Sequence, residues 1–164
     1  MSGQETIPLD TPGWSNPSLP VLVYRGGVPA ADPAAVEAVL ESNAWPPRWR
    51  NGVYPFHHFH STAHEALACV TGSATLTLGG PDGLDVRIEA GDLLVLPAGT
   101  GHRRVEASSD FLLVGAYPER QDWDVRREAA DAADEARIAA VPMPAADPAY
   151  GPGGPLAHLW RTAK

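Results

Sequence analysis

A ten-residue stretch of the sequence, FHHFHSTAHE at positions 56–65, contains four histidines and one glutamate. Imidazole nitrogens and carboxylate oxygens are the common protein ligands of divalent transition metals. The stretch therefore predicts a metal site, and the question is which of the five side chains can act together.

The alternation of side chains along a strand divides these residues into two groups. If 56–60 is a strand, His58 and His60 project from one face and His57 from the other. The next strand begins after a short connection, and its first residues, His64 and Glu65, must also diverge. If Glu65 faces inward, His64 faces outward. Spacing alone leaves two ligand sets open: His58, His60 and Glu65, or a set that involves His57 or His64.

A second stretch, GDLLVLPAGTGH at 91–102, ends a predicted strand in a Pro-Ala-Gly turn and places His102 at the start of the next strand. Adding His102 to a His-x-His pair and a carboxylate gives a set of three histidines and one glutamate. Such a set leaves one or two positions for water or substrate, as metal catalysis requires. Arg104 shares the face of His102 and could hold a substrate carboxylate, or form an ion pair with Glu106 or another acid.

These two stretches resemble the two motifs of the cupin family. The first motif, G-x5-H-x-H-x3,4-E-x6-G, is matched at Gly52, His58, His60, Glu65 and Gly72. The second, G-x5-P-x-G-x2-H-x3-N, is matched except that glutamate replaces its final asparagine, at Gly91, Pro97, Gly99, His102 and Glu106. More loosely, WRNGVY, PAGTGH and GAYPERQDWD are similar to the small bacterial YjlB-type cupins. The resemblance implies that the metal ligands are His58, His60, Glu65 and His102.

The resemblance also implies an all-β fold, the cupin double-stranded β-helix or jelly-roll barrel, with a short N-terminal helix and extended terminal arms. We expect a single domain over residues 1–164, with the barrel core at 52–118. An arm and a helix occupy 1–51, and a second arm occupies 119–164. Cupins often form dimers, and the proline-rich ends predict a homodimer.

Local patterns predict several elements. DPAAVEAVLESN at 32–43 predicts a helix with Asp32 as N-cap and Pro33 at its first position. ATLTLGGPDGLDVRIE at 74–89 predicts a hairpin around the turn GGPDG. The alanine-rich segment 123–141 has helical composition, and LAHLW at 156–160 predicts a final strand.

Composition narrows the classes of partner and location. The net charge of −8 opposes binding to nucleic acid or anionic membranes, which carry the same sign. A single cysteine, Cys69, excludes an intrachain disulfide. No N-terminal signal peptide and no apolar run of membrane-spanning length are visible. We therefore expect a cytoplasmic protein whose partner is a small molecule.

These observations predict a metal-dependent enzyme that acts on a small polar or anionic molecule, with an Fe(II)-type oxygenase as the first hypothesis. The mixed N/O ligand set also suits Mn, Ni, Cu or Zn. The alternatives are an isomerase or lyase on the same site, or a non-catalytic cupin that binds a small molecule or a metal. The predicted catalytic residues are Glu65, His64 and Arg104, with Glu65 or His64 as the group that moves a proton.

Overall fold

The computed structural model of the chain describes residues 3–161, in which strands dominate and three helices are short. The strands are β1 (Gly3–Ile7), β2 (Val21–Arg25), β3 (Pro47–Asn51), β4 (Glu65–Thr71), β5 (Ser73–Leu78), β6 (Leu84–Glu89), β7 (Leu93–Leu96), β8 (His102–Ala107) and β9 (Leu112–Ala116). The helices are α1 (Pro33–Ser42), α2 (Ala132–Ala140) and α3 (Pro155–Arg161).

Two antiparallel sheets face each other. The larger has six strands in the order β1-β2-β7-β4-β9-β3, and the smaller has three in the order β6-β5-β8. The predicted hairpin is β5–β6, which pairs in register from Ser73↔Glu89 to Leu78↔Leu84. The predicted jelly-roll β fold is confirmed.

Strand β4 lies at the centre of the larger sheet and separates two apolar cores. Its inward residues Leu67 and Cys69 pack between the sheets, together with Leu76 and Ile88 of the smaller sheet. Its outward residues Ala66, Ala68 and Val70 pack in a second core with the buried side chains of α1 and α3. Both faces of β4 are therefore buried, which explains why the strand reads as a nearly continuous apolar run.

The predicted N-terminal helix is α1, and Asp32 caps it by accepting hydrogen bonds from the backbone N–H groups of Ala34 and Ala35. The predicted final strand is wrong, because LAHLW lies in helix α3. Leu156 and Trp160 are both buried, and their spacing of four residues places them on one helix face. That face packs on the outward side of the larger sheet.

The terminal arms pack against their own chain. Strand β1 extends the larger sheet by pairing with β2, and β3 pairs with β9 at the opposite edge. Over residues 3–161 no helix is long and apolar enough to cross a membrane. The homodimer and the cytoplasmic location stay predictions.

Candidate metal centre

Three buried histidines converge at one end of the space between the sheets. His58 and His102 are paired across a β-bridge, in which each backbone N–H donates to the other's carbonyl at 3.2 and 2.9 Å. His60 follows two residues later on the same face as His58. The potential ligand atoms of the three rings all lie within 4.8 Å of one another. Strand pairing thus brings His60 and His102 close together in space, although 42 residues separate them in the sequence.

The turn before β8 sets the position of His102. Gly99 has a φ of +90°, which favours glycine, and its N–H donates to the carbonyl of His60 at 2.8 Å. A Cβ at Gly99 would also lie 2.8 Å from Cδ1 of Ile138. The Pro-x-Gly part of the second motif therefore ties the two ligand-bearing segments together.

Hydrogen bonds to the backbone orient all three rings in the same sense. Nδ1 of His58 lies 3.1 Å from the Phe56 carbonyl, Nδ1 of His102 lies 3.0 Å from the Thr100 carbonyl, and Nδ1 of His60 contacts the Asp124 carbonyl. Because a carbonyl can only accept, each Nδ1 carries the proton and donates it. Each Nε2 then keeps a lone pair for the centre, which is the arrangement of metal-binding histidines.

Glu65 completes the centre from β4. Its Oε2 lies 3.3 Å from Nε2 of His60, and its Oε1 lies 3.2 Å from Nε2 of His102. Oε1 is buried and has no well-directed hydrogen-bond donor. Two ligand atoms that each lie about 2.1 Å from one cation are roughly 3.0–3.4 Å apart. The lone pairs on Nε2 and the orphaned Oε1 therefore fit a cation held by His58, His60, His102 and Glu65.

The electrostatics of the centre also favour a cation. Burial acts to raise the pKa of Glu65, but the neighbouring rings of His60 and His102 hold it well below its usual value. Burial, with a smaller contribution from His102, lowers the pKa of His58 to about 3, so that this ring is neutral at physiological pH. For His60 the effect of burial is outweighed by the Glu65 carboxylate, which raises its pKa. A carboxylate that stays ionised although buried and a neutral His58 imidazole are donors of the kind that a divalent transition metal takes.

Tyr117 is a residue of the candidate centre that the sequence reasoning missed. Its hydroxyl donates to Oε2 of Glu65 at 2.5 Å and accepts from Nε1 of Trp49 at 2.9 Å. Trp123 stacks on the Tyr117 ring at a centroid distance of 4.4 Å. The Trp49 ring occupies the space above Gly115, where a Cβ would lie 2.1 Å from it. These contacts hold Oε2 in place and leave Oε1 as the free oxygen of the carboxylate.

Asp124 supports His60 from the C-terminal arm. Its carbonyl receives the His60 Nδ1–H, and its carboxylate accepts from both the backbone N–H and the hydroxyl of Ser61. Arg137 of α2 donates to that same Ser61 hydroxyl at 3.0 Å. The only sequence signal for these roles was the loose similarity over GAYPERQDWD, which contains Tyr117, Trp123 and Asp124.

The structure places the other two histidines away from the centre. His57 lies on the opposite face from His58, with its ring centroid 5.8 Å from that of Trp14. His64 also lies behind the sheet, as parity predicts, but it is buried there rather than at the surface. Its Nδ1 accepts from the Ala98 N–H at 2.9 Å, and its ring lies 4.9 Å from that of Trp160 in α3. Burial lowers its pKa to about 4.

A cavity of about 430 Å³ opens onto the centre and receives Arg104 in its wall. Arg104 lies on β8 with His102, as alternation predicts, and among residues 3–161 it makes no ion pair, with Glu106 or with any other acid. Tyr54 lies at the cavity mouth with 52% of its surface exposed. The other aromatic and aliphatic side chains of the wall are those of Trp49, Val53, Pro55, Leu67, Tyr117, Trp123 and Val125.

Comparisons with known proteins agree with this architecture. A family model described as "Cupin domain" matches residues 50–113, which contain all four candidate ligands. An uncharacterized protein of Bacillus subtilis (strain 168), YjlB, is 32% identical over 148 residues, or 89% of this chain and 88% of its own length. A crystal structure of a DUF861 family protein from Thermotoga maritima is 24% identical, covers 51% of this chain and 88% of its own, and has a TM-score of 0.33.

Proposed function

The chain belongs to the cupin family, and from this premise we propose that it is a metal-dependent enzyme that acts on a small polar or anionic molecule. The first hypothesis is an Fe(II)-type oxygenase. One observation carries the proposal: three Nε2 lone pairs and the orphaned Oε1 of Glu65 meet at the floor of a cavity large enough for a substrate. A binding site that only stored a metal would not need that cavity.

The residues that would hold the metal are His58, His60, His102 and Glu65. Fe(II) is favoured, and Mn, Ni, Cu or Zn suit the same N/O set. When bound, the metal would act as a Lewis acid or a redox centre next to the cavity.

The chain's own residues have separate tasks in this proposal. Trp49, Trp123 and Tyr117 form an aromatic part of the cavity wall next to the centre. Tyr117 holds the orientation of Glu65 through Oε2, and backbone carbonyls hold the three rings. Such support from outside the ligand set keeps a metal site preorganised before substrate arrives.

The second candidate is an isomerase or lyase on the same site, and the contact between Tyr117 and Glu65 favours it. A phenol that donates to a carboxylate at 2.5 Å beside the cavity is a pair that can hold a proton near a substrate carbon. Burial, followed by the Glu65 charge, raises the pKa of Tyr117, so the proton resides on the phenol at neutral pH. His64 is not a candidate for this proton transfer, because it lies on the other side of β4.

The test begins with metal analysis of protein purified without added metal. It continues with oxygen uptake in the presence of small carboxylic and hydroxy acids. We expect about one metal per chain and, for the oxygenase, iron with substrate-dependent uptake. One zinc per chain without uptake would contradict the oxygenase and favour the isomerase or lyase. Protein that holds no metal from any of the five candidate ions would contradict the proposal as a whole.

A further inference from the structure

We propose that the natural ligand of the cavity is a small carboxylate with an apolar body, and that Arg104, rather than the metal, binds its carboxylate. This inference rests on the proposed function in one respect: the end of the ligand that does not carry the carboxylate would face the metal centre.

The wall of the cavity contains one guanidinium group, that of Arg104. Arg104 lines the cavity, is partly buried, and makes no ion pair among the described residues, although the chain has 20 acidic side chains and 12 basic ones. The carboxylate in the lining is that of Glu65, which accepts from Tyr117 and lies 3.3 Å from His60 and 3.2 Å from His102. A guanidinium in a cavity wall without an acidic partner presents a planar fork of donors that matches a carboxylate.

Arg104 lies on the same strand as the candidate ligand His102. His102 and Arg104 are two residues apart on β8, which places their backbones about 7 Å apart on one face. A ligand whose carboxylate binds Arg104 therefore also borders the imidazoles, which line the same cavity. The ligand thus has two functional ends, a carboxylate and the group that reacts.

The remaining wall of the cavity limits the kind of ligand body that fits. Apart from Arg104, Asn51 and the residues of the metal centre, most of the lining is apolar or aromatic, with Trp49, Val53, Leu67, Trp123 and Val125. Asn51 is the neutral amide in this wall. A polyhydroxylated body such as a sugar would leave several hydroxyls without partners there, whereas an apolar body gains from burial. The cavity volume of about 430 Å³ limits the ligand to a small molecule.

The test is isothermal titration calorimetry with three probes: benzoate, its neutral analogue benzamide, and acetate, which lacks the apolar body. We expect the wild-type protein to bind benzoate at least about tenfold more tightly than either of the other two. Arg104→Gln should lower benzoate affinity roughly 10- to 100-fold and remove the preference over benzamide. The backbone N–H of Arg104 donates to the Tyr54 carbonyl at 2.9 Å, a bond that the substitution preserves. Circular dichroism and thermal unfolding check that the variant is folded.

Arg103→Gln is the matched control, because Arg103 is the next residue on β8, pairs with Thr77 and faces away from the cavity. It removes the same charge and should leave benzoate affinity unchanged. An equal loss in both variants would overturn the inference, since it would indicate a general charge effect. A wild-type protein that does not prefer benzoate over both other probes would also overturn it.

Each titration is repeated on chelator-treated and metal-loaded protein, which separates this inference from the proposed function. We expect the effect of Arg104→Gln in both forms. If the chain bound no metal but Arg104→Gln still abolished the benzoate preference, the inference would stand and the proposed function would fail. If benzoate binding required the metal and survived in Arg104→Gln, the carboxylate would lie on the metal and the inference would be wrong.

Discussion

The two faces of β4 differ at the start of the strand, where His64, the residue before it, and Glu65, its first residue, are neighbours in the chain. Both side chains are buried, each with about 2% of its surface exposed. Glu65 faces the space between the sheets, where an oxygen without a donor meets imidazole lone pairs. His64 faces the outer core, where the Ala98 N–H occupies its Nδ1 and Trp160 covers its ring.

The difference shows that burial and residue type do not identify a ligand. Each of the three histidines in the centre donates from Nδ1 to a carbonyl and keeps the Nε2 lone pair free. His64 has the opposite arrangement, because its Nδ1 accepts from a backbone N–H. The direction of the available lone pair separates a candidate ligand from a structural histidine.

The largest effect is expected from removing two imidazoles at once. The variant His58→Ala, His102→Ala should lose metal affinity by about 10⁴-fold, since each direct ligand contributes more than the roughly 10- to 100-fold of an outer partner. Equilibrium dialysis followed by elemental analysis measures the change. Stoichiometric metal in the double variant would show that the ion binds elsewhere.

The reverse pattern is expected at His64. His64→Ala should lower the free energy of unfolding by about 2–4 kcal/mol, because it leaves a cavity beside Trp160 and an unpaired N–H at Ala98. Metal affinity, measured on folded protein, should stay within about threefold of wild type. Urea denaturation of the metal-free proteins gives the stability. A loss of metal affinity as large as that of a single ligand variant, His58→Ala, would erase the distinction between the two faces.

Much of this comparison could be predicted from the sequence, and the reasons are local. Alternation along two strands left two ligand sets open, and the resemblance to the two cupin motifs implied the set His58, His60, Glu65 and His102, which the structure brings together. The burial of His64 was missed because it depends on α3, whose segment was expected to be a strand. The contact of Tyr117 with Glu65 could not be derived from spacing, since the two residues are 52 positions apart and meet because β4 pairs with β9, which ends just before Tyr117.

A smaller effect is expected from the carboxylate. Glu65→Gln keeps the shape of the side chain but removes its charge, and should weaken metal binding roughly 10- to 100-fold. Glu106→Gln on β8 is the control, because that residue is exposed and lies outside the cavity lining. Competition with a chromophoric chelator gives both affinities. Equal affinities in the two variants would exclude Glu65 as a ligand.

The smallest effect is expected from the support of Glu65. Tyr117→Phe removes the hydrogen bond to Oε2 while the stacking with Trp123 is preserved, and should weaken metal binding by about tenfold. Tyr54→Phe at the cavity mouth should leave affinity unchanged. The same chelator competition applies. A Tyr117→Phe protein with wild-type affinity would show that Oε2 needs no external support.

The most direct test of the metal centre is X-ray absorption spectroscopy of the metal-loaded protein at the edge of the bound ion. The structure predicts a first shell of nitrogen and oxygen at about 2.1 Å, with the outer-shell scattering of three imidazoles and no sulfur. The His64→Ala protein should give the same spectrum. A sulfur ligand, or a spectrum without imidazole scattering, would contradict the assignment of His58, His60, His102 and Glu65.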